Sequence, residues 1–102
     1  MIAIDVPKEQ LRDFCRKWKI TEFALFGSVT RPEEFRTDSD VDVMVRFSDE
    51  AQWSLFDIVH MEDELRAIFG RDVDLAEREG VEHSINHIRR EAILGSAVAL
   101  EF

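Results

Sequence analysis

The chain has 102 residues, 45% of them apolar and 34% charged, which suffices for one hydrophobic core and a single domain over residues 1–102 but not for a second. Lys and Arg number 13 against 22 Asp and Glu, a formal charge of −9, so the bulk field repels nucleic acid and anionic membranes and no direct nucleic-acid binding is expected. Cys15 is the sole cysteine, which excludes an intrachain disulfide or an all-cysteine metal site and suits a reducing cytoplasm.

The segment Met1–Asp5 meets charge too early for a signal h-region, and no apolar run approaches the ~20 residues of a membrane span. Pro7 then opens a helix whose Leu11, Phe14, Cys15 and Trp18 recur on one face, with Arg12, Arg16, Lys17 and Lys19 as its solvated side. Ile20 to Phe26 reads as a buried strand stopped by Gly27. Ser28 to Asp38 is polar, contains Pro32, and reads as a short helix and a loop.

From Asp40 to Phe47 the sequence alternates, with Val41, Val43, Val45 and Phe47 on one face and Asp40, Asp42, Met44 and Arg46 on the other. Ser54 and Asp57 form a capping-box start for a long amphipathic helix carrying Leu55, Ile58, Val59, Leu65, Ile68 and Phe69, which ends at Gly70. A third strand follows over about Asp72 to Ala76. The last helix takes Ser84 as its cap and turns Ile85, Ile88, Ala92 and Ile93 inward, and Val98 to Leu100 reads equally as a helical tail or an edge strand. The expected fold is α/β (α+β): a small mixed sheet of three to four strands with helices mainly on one face, which leaves the acidic face free.

The chemistry lies in three features. Gly27-Ser28 directly follows a strand, Asp40 and Asp42 stand at i and i+2 on the next strand, and Asp74 stands on the one after. Residues two apart on a strand lie about 6.5–7 Å apart and a neighbouring strand is about 4.8 Å away, so these carboxylates converge if the strands pair. Three converging carboxylates raise one another's pKa and call for a cation. Hard oxygen ligands suit Mg²⁺, and two such ions would clamp the attacking and leaving oxygens of a phosphoryl-type displacement. Gly27 lets the backbone approach a phosphate closely, and a helix starting at Ser28 would aim free N–H groups at it. A nucleoside triphosphate fits both halves. The bland alternative, a solvated edge-strand face, accounts poorly for two acids on so valine-rich a strand, because Asp has low strand propensity.

The run Phe26-Gly27-Ser28-Val29-Thr30-Arg31, followed by Ser39-Asp40-Val41-Asp42-Val43 and Asp72-Val73-Asp74-Leu75, resembles the signature of the DNA polymerase beta-like nucleotidyltransferase superfamily. The likeness covers nearly the whole chain and is similar in length to the minimal nucleotidyltransferase (MNT) antitoxins that pair with HEPT-domain toxins. It implies Asp40, Asp42 and Asp74 as catalytic and metal-binding residues for Mg²⁺, as two ions, and Gly27, Ser28 and Arg31 as the nucleotide-binding residues for ATP. One departure is Pro32, where the group often has glycine after the arginine. The resemblance also implies AMP transfer to a hydroxyl, a tyrosine, of a HEPT-type toxin in a cytoplasmic hetero-oligomer. This chain has no tyrosine, so such an acceptor must come from another protein. The alternative expectations are a non-catalytic antitoxin that masks its partner and a nucleotide-binding module that senses without transfer. His83 and His87 have helical zinc spacing, yet Ser84 stands where a zincin glutamate belongs, so they read as surface residues.

Overall fold

The computed structural model describes residues 2–102. In chain order its elements are helix α1 (Lys8–Lys17), strand β1 (Ile20–Phe26), a single 3₁₀ turn (Gly27–Thr30), strand β2 (Val41–Phe47), helix α2 (Leu55–Phe69), strand β3 (Val73–Glu77), short helix α3 (Arg78–Glu82), helix α4 (His87–Ser96) and strand β4 (Val98–Leu100). The strands form one mixed sheet in the order β3-β2-β1-β4. β1 is antiparallel to both β2 and β4, whereas β2 and β3 are parallel. That parallel pair needs a crossover, and α2 supplies it.

Alternation on β2 divides the core in two. Val41, Val43 and Val45 are buried beneath α1 and α2, against Leu11, Phe14, Met61 and Leu65. Met44 faces the other way, into a smaller cluster with Ala24, Phe26 and Val81, which Ile93 and Leu94 of α4 cover. The larger core therefore lies on the expected face, but the acidic face is free only at one end of the sheet. Met44 is a core residue, 2% exposed.

α2 begins as its sequence dictates. The Ser54 hydroxyl accepts from Asp57 N–H and the Asp57 carboxylate accepts from Ser54 N–H, while Gly70 closes the helix in the left-handed region at φ 71°. Ser54→Ala is expected to lower stability by about 1 kcal/mol, read as a drop in the denaturation midpoint with unchanged slope. Leu55 and Val59 at the start of this helix are exposed, and Met61 takes the buried position instead.

The last helix departs most from its sequence reading. Asn86 caps α4 by accepting from Arg89 N–H, Ile85 and Ile88 are 94% and 84% exposed, and Ala92 is also exposed. The short α3 occupies the chain before it, so the helix starts later and is rotated relative to the expected face. Val98–Leu100 is an edge strand paired with Phe23–Leu25.

Cys15 lies half-buried on α1, and burial pushes its thiol up to about 11 from the ordinary 9.0. The thiolate, which is the reactive form, is then about 100-fold scarcer near pH 8. Iodoacetamide is expected to label folded protein at pH 8 about 100-fold more slowly than protein unfolded in urea, as followed by mass spectrometry.

Candidate active site

The loop from β1 to β2 brings the three sequence features to one end of the sheet. Phe26, the last residue of β1, pairs with Asp42, and Asp42 pairs in register with Asp74 on β3. In-register residues on neighbouring strands share a face, so Asp42 and Asp74 present their carboxylates to the same side. Asp40 stands one residue before β2, and its charge reaches Asp42.

Asp42 is half-buried, whereas Asp40 and Asp74 are exposed. Its pKa is raised, first by burial and then by the charges of Asp74 and Asp40, against which the Arg31 and Arg89 guanidinium groups act. These are the conditions under which a carboxylate gains most from a cation.

Gly27 has φ +74°. A Cβ at this position would fall 2.3 Å from Asp42 Oδ2 and 3.3 Å from its Cγ. The residue is glycine for two reasons: the left-handed backbone and the space that the carboxylate occupies. Its N–H already donates to Ser96 Oγ at 3.2 Å, so α4 is tied to this corner. Gly27 thus makes room for Asp42, and the Ser28 segment is what remains to meet a phosphate. The expected helix at Ser28 is one 3₁₀ turn, closed by Arg31 N–H donating to Ser28 O at 2.9 Å and by the Thr30 hydroxyl donating to Gly27 O at 2.7 Å.

Arg31 is exposed and its guanidinium is ion-paired with Glu34. The approach to Asp40 is fixed by Arg71, which donates to Arg36 O and Ser39 O at 3.2 and 3.1 Å. Arg71 also stacks on Phe35, 4.6 Å from its ring centre. Arg71, Ser96 and Arg89 carry no local sequence signal, because each reaches the site from a distant part of the chain. His83 and His87 are exposed.

Among the described residues, no three His, Cys, Asp or Glu side chains close around a single point as a metal cage. The Asp42–Asp74 pair is instead an open shelf of two carboxylates. That donor set fits Mg²⁺, which commonly takes one or two protein carboxylates and completes its shell with water and substrate phosphates. The site is correspondingly shallow. Asp40 borders an open depression of about 530 Å³, while a separate depression of about 580 Å³ beside Trp53 and Ile58 lies toward the other end of β2.

Comparison with known proteins identifies the family and the fold. The family described as nucleotidyltransferase domain matches residues 7–98. A Methanocaldococcus jannaschii protein, MJ0435, assigned as a protein adenylyltransferase, is 31% identical over 95 residues, covering 93% of this chain and 95% of its own. A solved structure described as a minimal nucleotidyltransferase superposes with TM-score 0.68 and 29% identity, over 91% of this chain and 88% of that one. One chain of a solved complex, that of tri-AMPylated Shewanella oneidensis HEPN toxin with MNT antitoxin, shares the fold at TM-score 0.62 and 18% identity, over 92% of this chain and 68% of that one. The family match over most of the chain, together with a relative aligned almost end to end, makes this chain a member of the nucleotidyltransferase family, a nucleotidyltransferase enzyme of its minimal group.

Proposed function

We propose that this nucleotidyltransferase moves AMP from ATP to a tyrosine hydroxyl of a HEPT-type toxin and so acts as the antitoxin of a toxin–antitoxin pair. The observation that carries the reading is the in-register Asp42–Asp74 pair beside a glycine whose missing side chain leaves room for Asp42. Without a cation, Asp42 is a half-buried carboxylate among like charges that Arg31 and Arg89 offset only in part. The assignment of the M. jannaschii relative supports adenylyl transfer, and the AMPylated toxin in the Shewanella complex supports the partner class.

In this reading Asp40, Asp42 and Asp74 hold Mg²⁺, as one or two ions, and Ser28 with its following N–H groups meets the triphosphate. Bound there, Mg²⁺ supplies charge neutralisation at the α-phosphate and the departing pyrophosphate. The tyrosine oxygen forms a bond to the α-phosphorus, the bond from that phosphorus to the bridging oxygen breaks, and pyrophosphate leaves. The exposed Asp74 takes the hydroxyl proton. The chain works as a single cytoplasmic domain in a hetero-oligomer with its acceptor.

Masking without transfer is the second reading, and the exposed Leu55 and Phe56, at 79% and 80%, favour it as a docking surface. Masking alone gives Asp42 and Asp74 no role. The test incubates the chain and the product of its neighbouring reading frame with Mg²⁺ and ATP labelled on the α-phosphate. Label on the partner, absent with Asp42→Asn and absent when ATP carries the label on its γ-phosphate, is expected. No label on the partner, or undiminished label with Asp42→Asn, contradicts transfer.

A further inference from the structure

The sheet face that carries Asp42 and Asp74 continues into a depression of about 400 Å³ between β3, α3 and α4. Its floor is Ala76, two residues beyond Asp74 and on the same face, with Val81 and Ile93. Arg89 stands on its border. α4 is anchored to the Gly27 corner through Ser96, so the helix that bears Arg89 is held against the site at its far end.

Two arginines stand near the Ser28 turn, Arg31 at its end and Arg89 on the helix that packs against it, but they differ in what else they bind. Arg31 is ion-paired with Glu34. The Arg89 side chain has no hydrogen-bond or ion-pair partner among the described residues; only its backbone N–H is engaged, by the Asn86 cap. A guanidinium already paired with a carboxylate must exchange that partner for a phosphate, whereas an unpaired one gains the contact outright. On a chain with a formal charge of −9, an unpaired arginine on the face that bears Asp42 and Asp74 is well suited to receive an anion.

We infer that Arg89, from helix α4, is the cationic contact for the triphosphate of the bound nucleotide, in place of the sequence-assigned Arg31. This inference rests on the reading that a nucleoside triphosphate occupies the Gly27–Asp42 corner. Arg89 comes from α4, which packs on the Ser28 turn, so the phosphates are gripped between two elements that the sequence separates by more than half its length.

The test measures binding of a non-hydrolysable ATP analogue with Mg²⁺ to the whole chain by calorimetry, for wild type, Arg89→Ala, Arg89→Lys and Arg31→Ala. Charge-assisted hydrogen bonds predict a loss of about tenfold or more for Arg89→Ala. Arg89→Lys is expected to recover part of that loss, and Arg31→Ala to stay within about threefold of wild type. Arg89 is exposed and its helix cap is a backbone contact, so Arg89→Ala is expected to melt with wild type; Arg89→Lys provides a second folded comparison. Unchanged binding in Arg89→Ala, or a larger loss in Arg31→Ala than in Arg89→Ala, overturns the assignment. Failure of the transfer reading looks different: Arg89-dependent binding would persist while no label reached the partner.

Discussion

Asp42→Asn is expected to abolish transfer and to stabilise the free chain. Loss of this carboxylate removes half of the two-carboxylate shelf, and even indirect partners of a metal site commonly cost 10–100-fold when removed, so the loss is expected to exceed about 100-fold. The stability effect follows from the raised pKa of Asp42, caused first by burial and then by Asp74 and Asp40. Between the ordinary value of 3.8 and the raised one, the folded state holds more protons than the unfolded state. Stability therefore falls as pH rises through that window, and the full penalty remains at neutral pH. Asparagine has no such penalty. The variant is expected to melt above wild type at pH 7 in metal-free buffer, with the gap closing as pH falls toward 3.8. Thermal unfolding across pH, paired with the labelling assay, checks both halves. A variant that loses both activity and stability at pH 7 would contradict the strain assigned to Asp42.

Gly27→Ala is expected to be the more damaging change to stability, because it opposes both the backbone and the carboxylate. At φ +74° a side chain costs about 1–2 kcal/mol, and the new Cβ would lie 2.3 Å from Asp42 Oδ2. The combined destabilisation is expected near 1–3 kcal/mol, and displacement of Asp42 is expected to reduce transfer by about 100-fold. A double-mutant cycle separates the causes. In an Asp42→Ala background the clash is gone and only the backbone cost remains, so Gly27→Ala should cost less there. Gly80→Ala serves as a control, since a Cβ at Gly80 meets nothing within 4 Å. An equal cost of Gly27→Ala in the two backgrounds would show that Asp42 does not press on this position.

The parts of this fold that were legible in the sequence are those fixed by local chemistry. β1 ends at Phe26 because Gly27 takes a conformation that few other residues adopt, and α2 starts at Leu55 because Ser54 and Asp57 satisfy each other's groups. The pairing of Asp42 with Asp74 could be inferred because both strands alternate and a crossover helix makes them parallel neighbours. The far end of the chain was not legible in this way. Ile85 and Ile88 fit an apolar face by spacing, yet α3 and the Asn86 cap shift the start of α4 and leave both exposed. Periodicity reports which residues share a face, not which neighbouring element covers it. The bond between Gly27 and Ser96 joins residues 69 positions apart, and the charge of Arg89 reaches Asp42 only through the packing of α4 on the sheet. No local pattern encodes either.

Asp74 is proposed to belong to the reacting site because of its register with Asp42, and its neighbour Asp72 to stand outside it. Asp72 is exposed at the entry to β3, with its carboxylate 3.7 Å from Arg66. Labelling of the partner protein from α-labelled ATP and Mg²⁺ should therefore be measured side by side for wild type, Asp72→Asn and Asp74→Asn. Wild-type labelling is expected with Asp72→Asn and at least about 100-fold less with Asp74→Asn. Equal labelling by the two variants would contradict the assignment of Asp74.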